Sequence, residues 1–248
     1  MKIPSQKKNI KLDEGDKKLL KSICGQLQWA TTQTRPDCSF ETCMLSNQGD
    51  MATHQILHDA NKVMRKMTEP VAIVFPSVGT PEKVKVLVYG DGSHASLPNG
   101  ASQGGSLVFL YGNKRVAPIV WKSKKLQRIT KSPLATEISS VADAADQGHL
   151  VASMFKEIFK LQKLPEISVL TDSQSLTDHL ISTKVISDPR LRVDISRMRE
   201  MTTMKEIKVK WVPSRYQLAD ALTKKGASAD LLKSVVTSGV LPPECLGE

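Results

Sequence analysis

The sequence predicts an α/β protein in which a mixed sheet is flanked by helices and preceded by a small helical segment. Three observations predict it. Apolar residues in the first third recur at helical spacing, whereas from Val71 onward the apolar runs are short, β-branched and separated by turn residues. Several such runs follow one another before a long helical pattern, and two more then alternate with helices, the order of an antiparallel meander continued by α/β crossovers. Finally, a chain of 248 residues with 40% hydrophobic content can bury a core without disulfides.

Each element has its own signal. Over residues 16–29, Leu19, Leu20, Ile23, Leu27 and Trp29 follow a helical period. Thr34-Arg35-Pro36-Asp37 breaks it, and short helices are expected over 40–46 and 52–67. Four antiparallel strands are expected: VAIVF (71–75), VKVLVYG (84–90), GSLVFLYG (105–112) and VAPIVW (116–121). The long helix is expected over 133–161, with Ser132 as N-cap and Pro133 at the first helical position. Its apolar stripe reads Ile138, Val141, Ala142, Ala145, Ala152, Phe155 and Phe159. The strand ISVLT (167–171), a helix from Ser173, a helix near 191–201, the strand IKVKWV (207–212) and a helical stretch from Tyr216 complete the chain. The division expected is 1–70 helical, 71–226 α/β, and 227–248 a C-terminal helix and tail.

Composition narrows the function. Aromatic residues make up 4%, too few for base-stacking platforms, so any nucleic-acid contact should fall mainly on the backbone. The net charge of +10 favours solubility and polyanionic partners. With a polar start and no apolar run of about 18 residues, an intracellular, non-secreted protein without a membrane partner is expected. Cys24, Cys38, Cys43 and Cys245 contain no C-x-x-C pair and are expected as free thiols. Cys38, Cys43, His54 and His58 have the residue types of a zinc site, but the cysteines are too widely spaced for the usual tight knuckle. The glycines of NGASQGG (99–105) precede a strand rather than a helix, which argues against a dinucleotide loop.

Four acids stand out. Asp91 ends the first strand of the body, Glu137 lies early in the long helix, Asp172 follows ISVLT, and Asp220 sits within LADAL. A lone ionised carboxylate among apolar neighbours is expensive. Taken singly, Asp91 reads as a turn residue, Asp172 as an N-cap and Glu137 as a first-turn acid facing the helix dipole. Asp220 has no such ordinary use. A shared cause is simpler: a pair of divalent cations held by hard oxygen ligands.

D-G-S after a strand, an early helical Glu, T-D-S after a strand and a late Asp together resemble type 1 ribonuclease H. More widely, GQLQWATTQTRPDCSFETCMLS (25–46), SQGGSLVFL (102–110), WKSKKLQRITKSPLATE (121–137) and QLADALTK (217–224) resemble the C-terminal region of copia-type retrotransposon Pol polyproteins, the end of reverse transcriptase plus ribonuclease H. The polymerase motif Y-x-D-D is missing from the chain, so polymerisation by it is not expected.

The resemblance implies a ribonuclease H-like mixed five-stranded sheet and an endoribonuclease that hydrolyses the RNA strand of RNA-DNA hybrids. It implies that Asp91, Glu137, Asp172 and Asp220 ligate two Mg²⁺ or Mn²⁺ ions roughly 3.5–4 Å apart, one activating water and one stabilising the leaving oxygen. Substrate contacts would come from Gly92, Ser93, Lys122, Lys124, Lys125, Arg128, Thr136, Ser173 and Arg215, with Gly92 admitting the ribose and Ser93 donating to the hybrid. The stretch 114–131 is basic with no acid and reads either as a phosphate track or as a lysine-defended sheet edge. Cellular members carry a His in the loop before the last Asp; here that segment is VPSRYQLAD, where Arg215 and Tyr216 are the nearest substitutes, and neither His94 nor His179 is at that position. Slow turnover is therefore expected, and a catalytically weak or inactive nucleic-acid-binding module on the same fold is the alternative. A separate reverse transcriptase is a further partner left open.

Overall fold

A computed structural model describes residues 9–48, 51–97, 99–182 and 188–247; the polar opening, residues 1–8, lies outside the described residues. The chain forms two compact units, Met1–Ala72 and Ile73–Glu248.

The first unit contains α1 (Glu14–Gln33), α2 (Ser39–Ser46) and α3 (His54–Thr68). Asp13 caps α1, its carboxylate accepting from the Asp16 amide at 2.8 Å. Leu20, Cys24 and Leu27 bury against Cys38, Leu45, Ala60 and Val63. Leu19 and Trp29, read above as part of the apolar stripe, are 51% and 71% exposed. The buried face instead runs 20, 24, 27, 31, a spacing that leaves those two outside it. The T-R-P-D break closes on itself. Arg35 makes a bidentate pair with Asp37, at 2.8 and 2.9 Å, and donates to the Lys66 and Glu69 carbonyls at the end of α3.

Among the described residues, Cys38, Cys43, His54 and His58 form no cluster of metal-binding geometry. Burial pushes the Cys38 thiol up to about 12, with the Asp37 carboxylate adding to it, which disfavours the thiolate a metal needs.

The second unit is built on one sheet. Its strands are β1 (Lys85–Ser93), β2 (Gln103–Gly112), β3 (Arg115–Lys125), β4 (Ile167–Thr171) and β5 (Ile207–Trp211), in the order β3-β2-β1-β4-β5. The first three are antiparallel neighbours; β1–β4 and β4–β5 are parallel. The mixed five-stranded sheet is therefore the one expected. Helices α4 (Pro133–Ile158), α5 (Gln174–Ile181) and α6 (Pro189–Thr203) contribute to the core that contains Val86, Val88 and Val108. The opposite face, with Leu87, Tyr89, Leu107 and Phe109, packs against the segment around Leu218–Leu222 and against α7 (Asp230–Ser238).

Three expectations on the elements are corrected. VAIVF forms no strand. Val74 makes one backbone bond to Val236, Ile73 joins the core, and Phe75 is 67% exposed. The helical stretch from Tyr216 is two 3-10 turns, Ser214–Tyr216 and Leu218–Leu222, before α7. Helix α4 begins as read, with Ser132 accepting from the Ala135 amide, but ends at Ile158 and leaves Phe159 48% exposed.

Helix α4 lies close over β1 because β1 presents glycines to it. A Cβ on Gly92 would stand 2.7 Å from both the Thr136 carbonyl oxygen and the Ser140 hydroxyl. Helix packing thus accounts for this glycine, which was expected to admit a ribose. Gly92→Ala should cost about 1–3 kcal/mol, read by urea unfolding, because the backbone of α4 must move to admit the methyl.

Candidate active site

The parallel pairing of β1 and β4 carries two acids to the same end of the sheet. Two residues beyond the Tyr89–Leu170 pair, the strands reach Asp91 and Asp172. Asp91 is still within β1, paired with Gly105, so it is neither a turn residue nor the strand's last. Ser173, not Asp172, caps α5 by accepting from the Leu176 amide, which leaves the Asp172 carboxylate available. Glu137 descends from the first turns of α4. Ligand oxygens of Asp91, Glu137 and Asp172 lie within 4.8 Å of one another.

Asp91 is fully buried and accepts a hydrogen bond from the Thr223 hydroxyl on Oδ2. Its Oδ1 receives no hydrogen bond, although Lys224 Nζ is 3.5 Å away, and Glu137 Oε2 is buried without a partner. Asp172 Oδ2 accepts from Ser214 at 2.6 Å. Asp220 lies outside the three-acid group; its Oδ1 is 2.6 Å from Lys224 Nζ.

Burial raises the pKa of Asp91 against the opposing pull of Lys224 and Thr223. Burial, then the charges of Asp91 and Asp172, pushes Glu137 up to about 9. Asp220 is pushed to about 6, by burial first and then by the Asp91 charge. Burial alone would lower Lys224, but Asp91 and Asp220 hold it protonated above the ordinary lysine range.

With Glu137 raised, the folded chain binds more protons than the unfolded chain between about 4.5 and 9, so stability falls as pH rises through that window. Thermal melts of the cation-free protein should decline in Tm across it, and Glu137→Gln should flatten the decline.

The donor set is all oxygen, and two of its oxygens are buried with no hydrogen bond. A buried carboxylate oxygen without a partner is costly unless a cation meets it. The cluster therefore suits a hard divalent cation rather than zinc held by sulfur and nitrogen.

The remaining site residues are more dispersed. Thr136 is fully buried and cannot face a substrate; its hydroxyl lies 3.0 Å from His94 Nδ1 and 2.7 Å from the Thr130 hydroxyl. His94 thereby ties the turn after β1 to the start of α4. Lys124 is paired with Asp143 at 2.7 Å and Arg128 with Asp194 at 3.3 Å. Lys122 is exposed and shares the α4 face with Lys124, while Lys125 alternates to the other side of the edge strand. Arg215 stacks over the Tyr216 ring at 5.0 Å. Ser93 ends β1 as an intermediate-exposure residue. Ser214, Thr223 and Lys224 touch the acids and were not singled out from the sequence.

The chain is 26% identical over 214 residues to the Retrovirus-related Pol polyprotein from transposon RE1 of Arabidopsis thaliana, covering 82% of this chain and 14% of the relative. It is 26% identical over 239 residues to the RE2 polyprotein of the same plant, covering 92% of this chain and 15% of that one. The chain thus spans a small part of the length of these relatives. No protein-family model matches it. Similar solved structures include RNase H1 from Halobacterium salinarum NRC-1, at 22% identity over 56% of this chain and 94% of that chain, with a TM-score of 0.42. LC11-RNase H1 in complex with an RNA/DNA hybrid matches at 17% identity, 56% and 94% coverage and a TM-score of 0.42. The foamy viral protease-reverse transcriptase in complex with RNA/DNA hybrid matches at 14%, 69% and 26% coverage and a TM-score of 0.42. The similarity to copia-type retrotransposon Pol polyproteins read from the sequence is borne out, and the fold is α/β with a five-stranded mixed sheet flanked by helices and preceded by N-terminal helices.

Proposed function

We propose that the chain is a divalent-cation-dependent ribonuclease H that cuts the RNA strand of RNA-DNA hybrids. The observation that carries the reading is the three-acid group with ligand oxygens within 4.8 Å of one another, in which Glu137 Oε2 is buried without a hydrogen bond and Asp91 Oδ1 is met only by the Lys224 ammonium at 3.5 Å. Asp91, Glu137 and Asp172 would hold one Mg²⁺ or Mn²⁺, and Asp220 with Asp91 would complete a second position. When bound, the ions supply water activation and charge stabilisation at the leaving oxygen.

The chain's own side chains position the acids. Thr223 fixes Asp91 through one oxygen and leaves the other without a hydrogen bond, 3.5 Å from the Lys224 ammonium. Ser214 orients Asp172. Placing Glu137 over β1 depends on the close packing of α4 at Gly92. The exposed cations of β3 and the loop after it offer sequence-independent contacts to phosphates. Lys122 and Lys125 have no ion pair among the described residues, unlike Lys124 and Arg128. Lys122→Ala should therefore reduce the slope of log affinity against log salt by about 1, and Lys124→Ala by less, in hybrid-binding titrations.

The experiment is digestion of a labelled hybrid at low salt with Mg²⁺ or Mn²⁺. Cutting that stops in chelator supports the proposal. Binding without cutting in either metal contradicts it and supports the inactive binding module instead.

A further inference from the structure

We propose that Lys224 is a built-in counter-cation that occupies the Asp220 side of the acid cluster, so that a second divalent cation enters only by displacing it. This rests on the reading that the cluster takes divalent cations. The ammonium lies 2.6 Å from Asp220 Oδ1 and 3.5 Å from Asp91 Oδ1, between the two acids a second ion would need. Asp220 stands outside the three-acid group, and its Oδ1 is engaged by Lys224. Among the described residues Glu137 and Asp172 make no ion pair, and Lys224 lies nearer Asp220 than Asp91, so the ammonium sits on the second position rather than the first.

The local structure allows the displacement. Thr223 is fully buried, and its hydroxyl bonds to Asp91, which anchors the backbone next to Lys224. The Lys224 amide donates to the Asp220 carbonyl at 3.0 Å, holding the main chain in register. Only the side chain needs to move. It is 39% exposed, on a flexible four-carbon stem with a route to water. Without the ion it partly neutralises acids that would otherwise repel one another; with the ion it leaves. Binding is therefore stepwise, with the second ion weaker.

The test is Mn²⁺ uptake by the full chain, without nucleic acid, followed by calorimetry for wild type, Lys224→Gln and Lys224→Arg, with thermal melts in chelator alongside. Two steps are expected for wild type. Removing one unit of competing charge should tighten the second step about tenfold or more in Lys224→Gln, a modest share of the Coulomb energy at this separation. Lys224→Arg keeps the charge and should bind like wild type. A second step in Lys224→Gln that is unchanged or weaker, in a protein that melts normally, overturns the proposal. If Lys224→Gln folds only when Mn²⁺ is present, the ion is replacing the ammonium and the proposal stands. If that variant cannot be purified, wild type alone decides: two equally tight sites overturn it and unequal ones support it. No Mn²⁺ uptake by any of the proteins removes the cation-cluster reading itself, and this proposal with it.

Discussion

Asp91→Asn is expected to lower hybrid cleavage by at least about 10³-fold while leaving the fold intact, because charge-stabilising groups at a reacting centre carry effects of that order. The change removes one negative charge and no volume. The amide oxygen can still accept from Thr223, so the link between β1 and the segment after Leu222 survives. Asp91 is fully buried beside Glu137 and Asp172, and burial already disfavours its charged form. In chelator, the Tm of the variant should therefore equal or exceed that of wild type. The expected signature is a separation: turnover and cation uptake fall together, while melting and salt-sensitive hybrid binding do not. Equal losses of Tm and activity would make Asp91 a structural residue instead.

The second large effect lies in the first unit. Arg35→Ala should destabilise it by about 3–5 kcal/mol, the range for removing one partner of a buried ion pair. Arg35 and Asp37 are 3% and 2% exposed, so the variant takes the bidentate guanidinium away from a buried carboxylate. It also removes the donors to the Lys66 and Glu69 carbonyls at the end of α3. Hydrogen exchange of the amides of α1, α2 and α3 reads the effect locally. The double change Arg35→Met with Asp37→Leu should recover part of the loss, since it leaves no unpaired charge.

How much was legible in the sequence depends on whether a feature is local. ISVLT is β4 at both ends, since its five residues are all buried and bounded by turn chemistry. The start of α4 was legible because Ser132-Pro133 is a local capping signal. VAIVF reads as a strand by composition, but which strands pair is a tertiary matter. Thr136 was expected to contact substrate; the helical step between it and Glu137 turns it inward instead. Ser214 and Thr223 gave no local signal, since their partners, Asp172 and Asp91, are far away in the chain. Lys224 was detectable: four residues after Asp220, it has the spacing of a helical ion pair.

The most direct measurement is a digest of a hybrid labelled separately on each strand, run at low salt with Mg²⁺, with Mn²⁺ and with chelator. The account predicts that the RNA strand is cut with metal, that the DNA strand stays whole, and that chelator stops the reaction. An RNA strand left intact in both metals, on protein that demonstrably binds the hybrid, would contradict it.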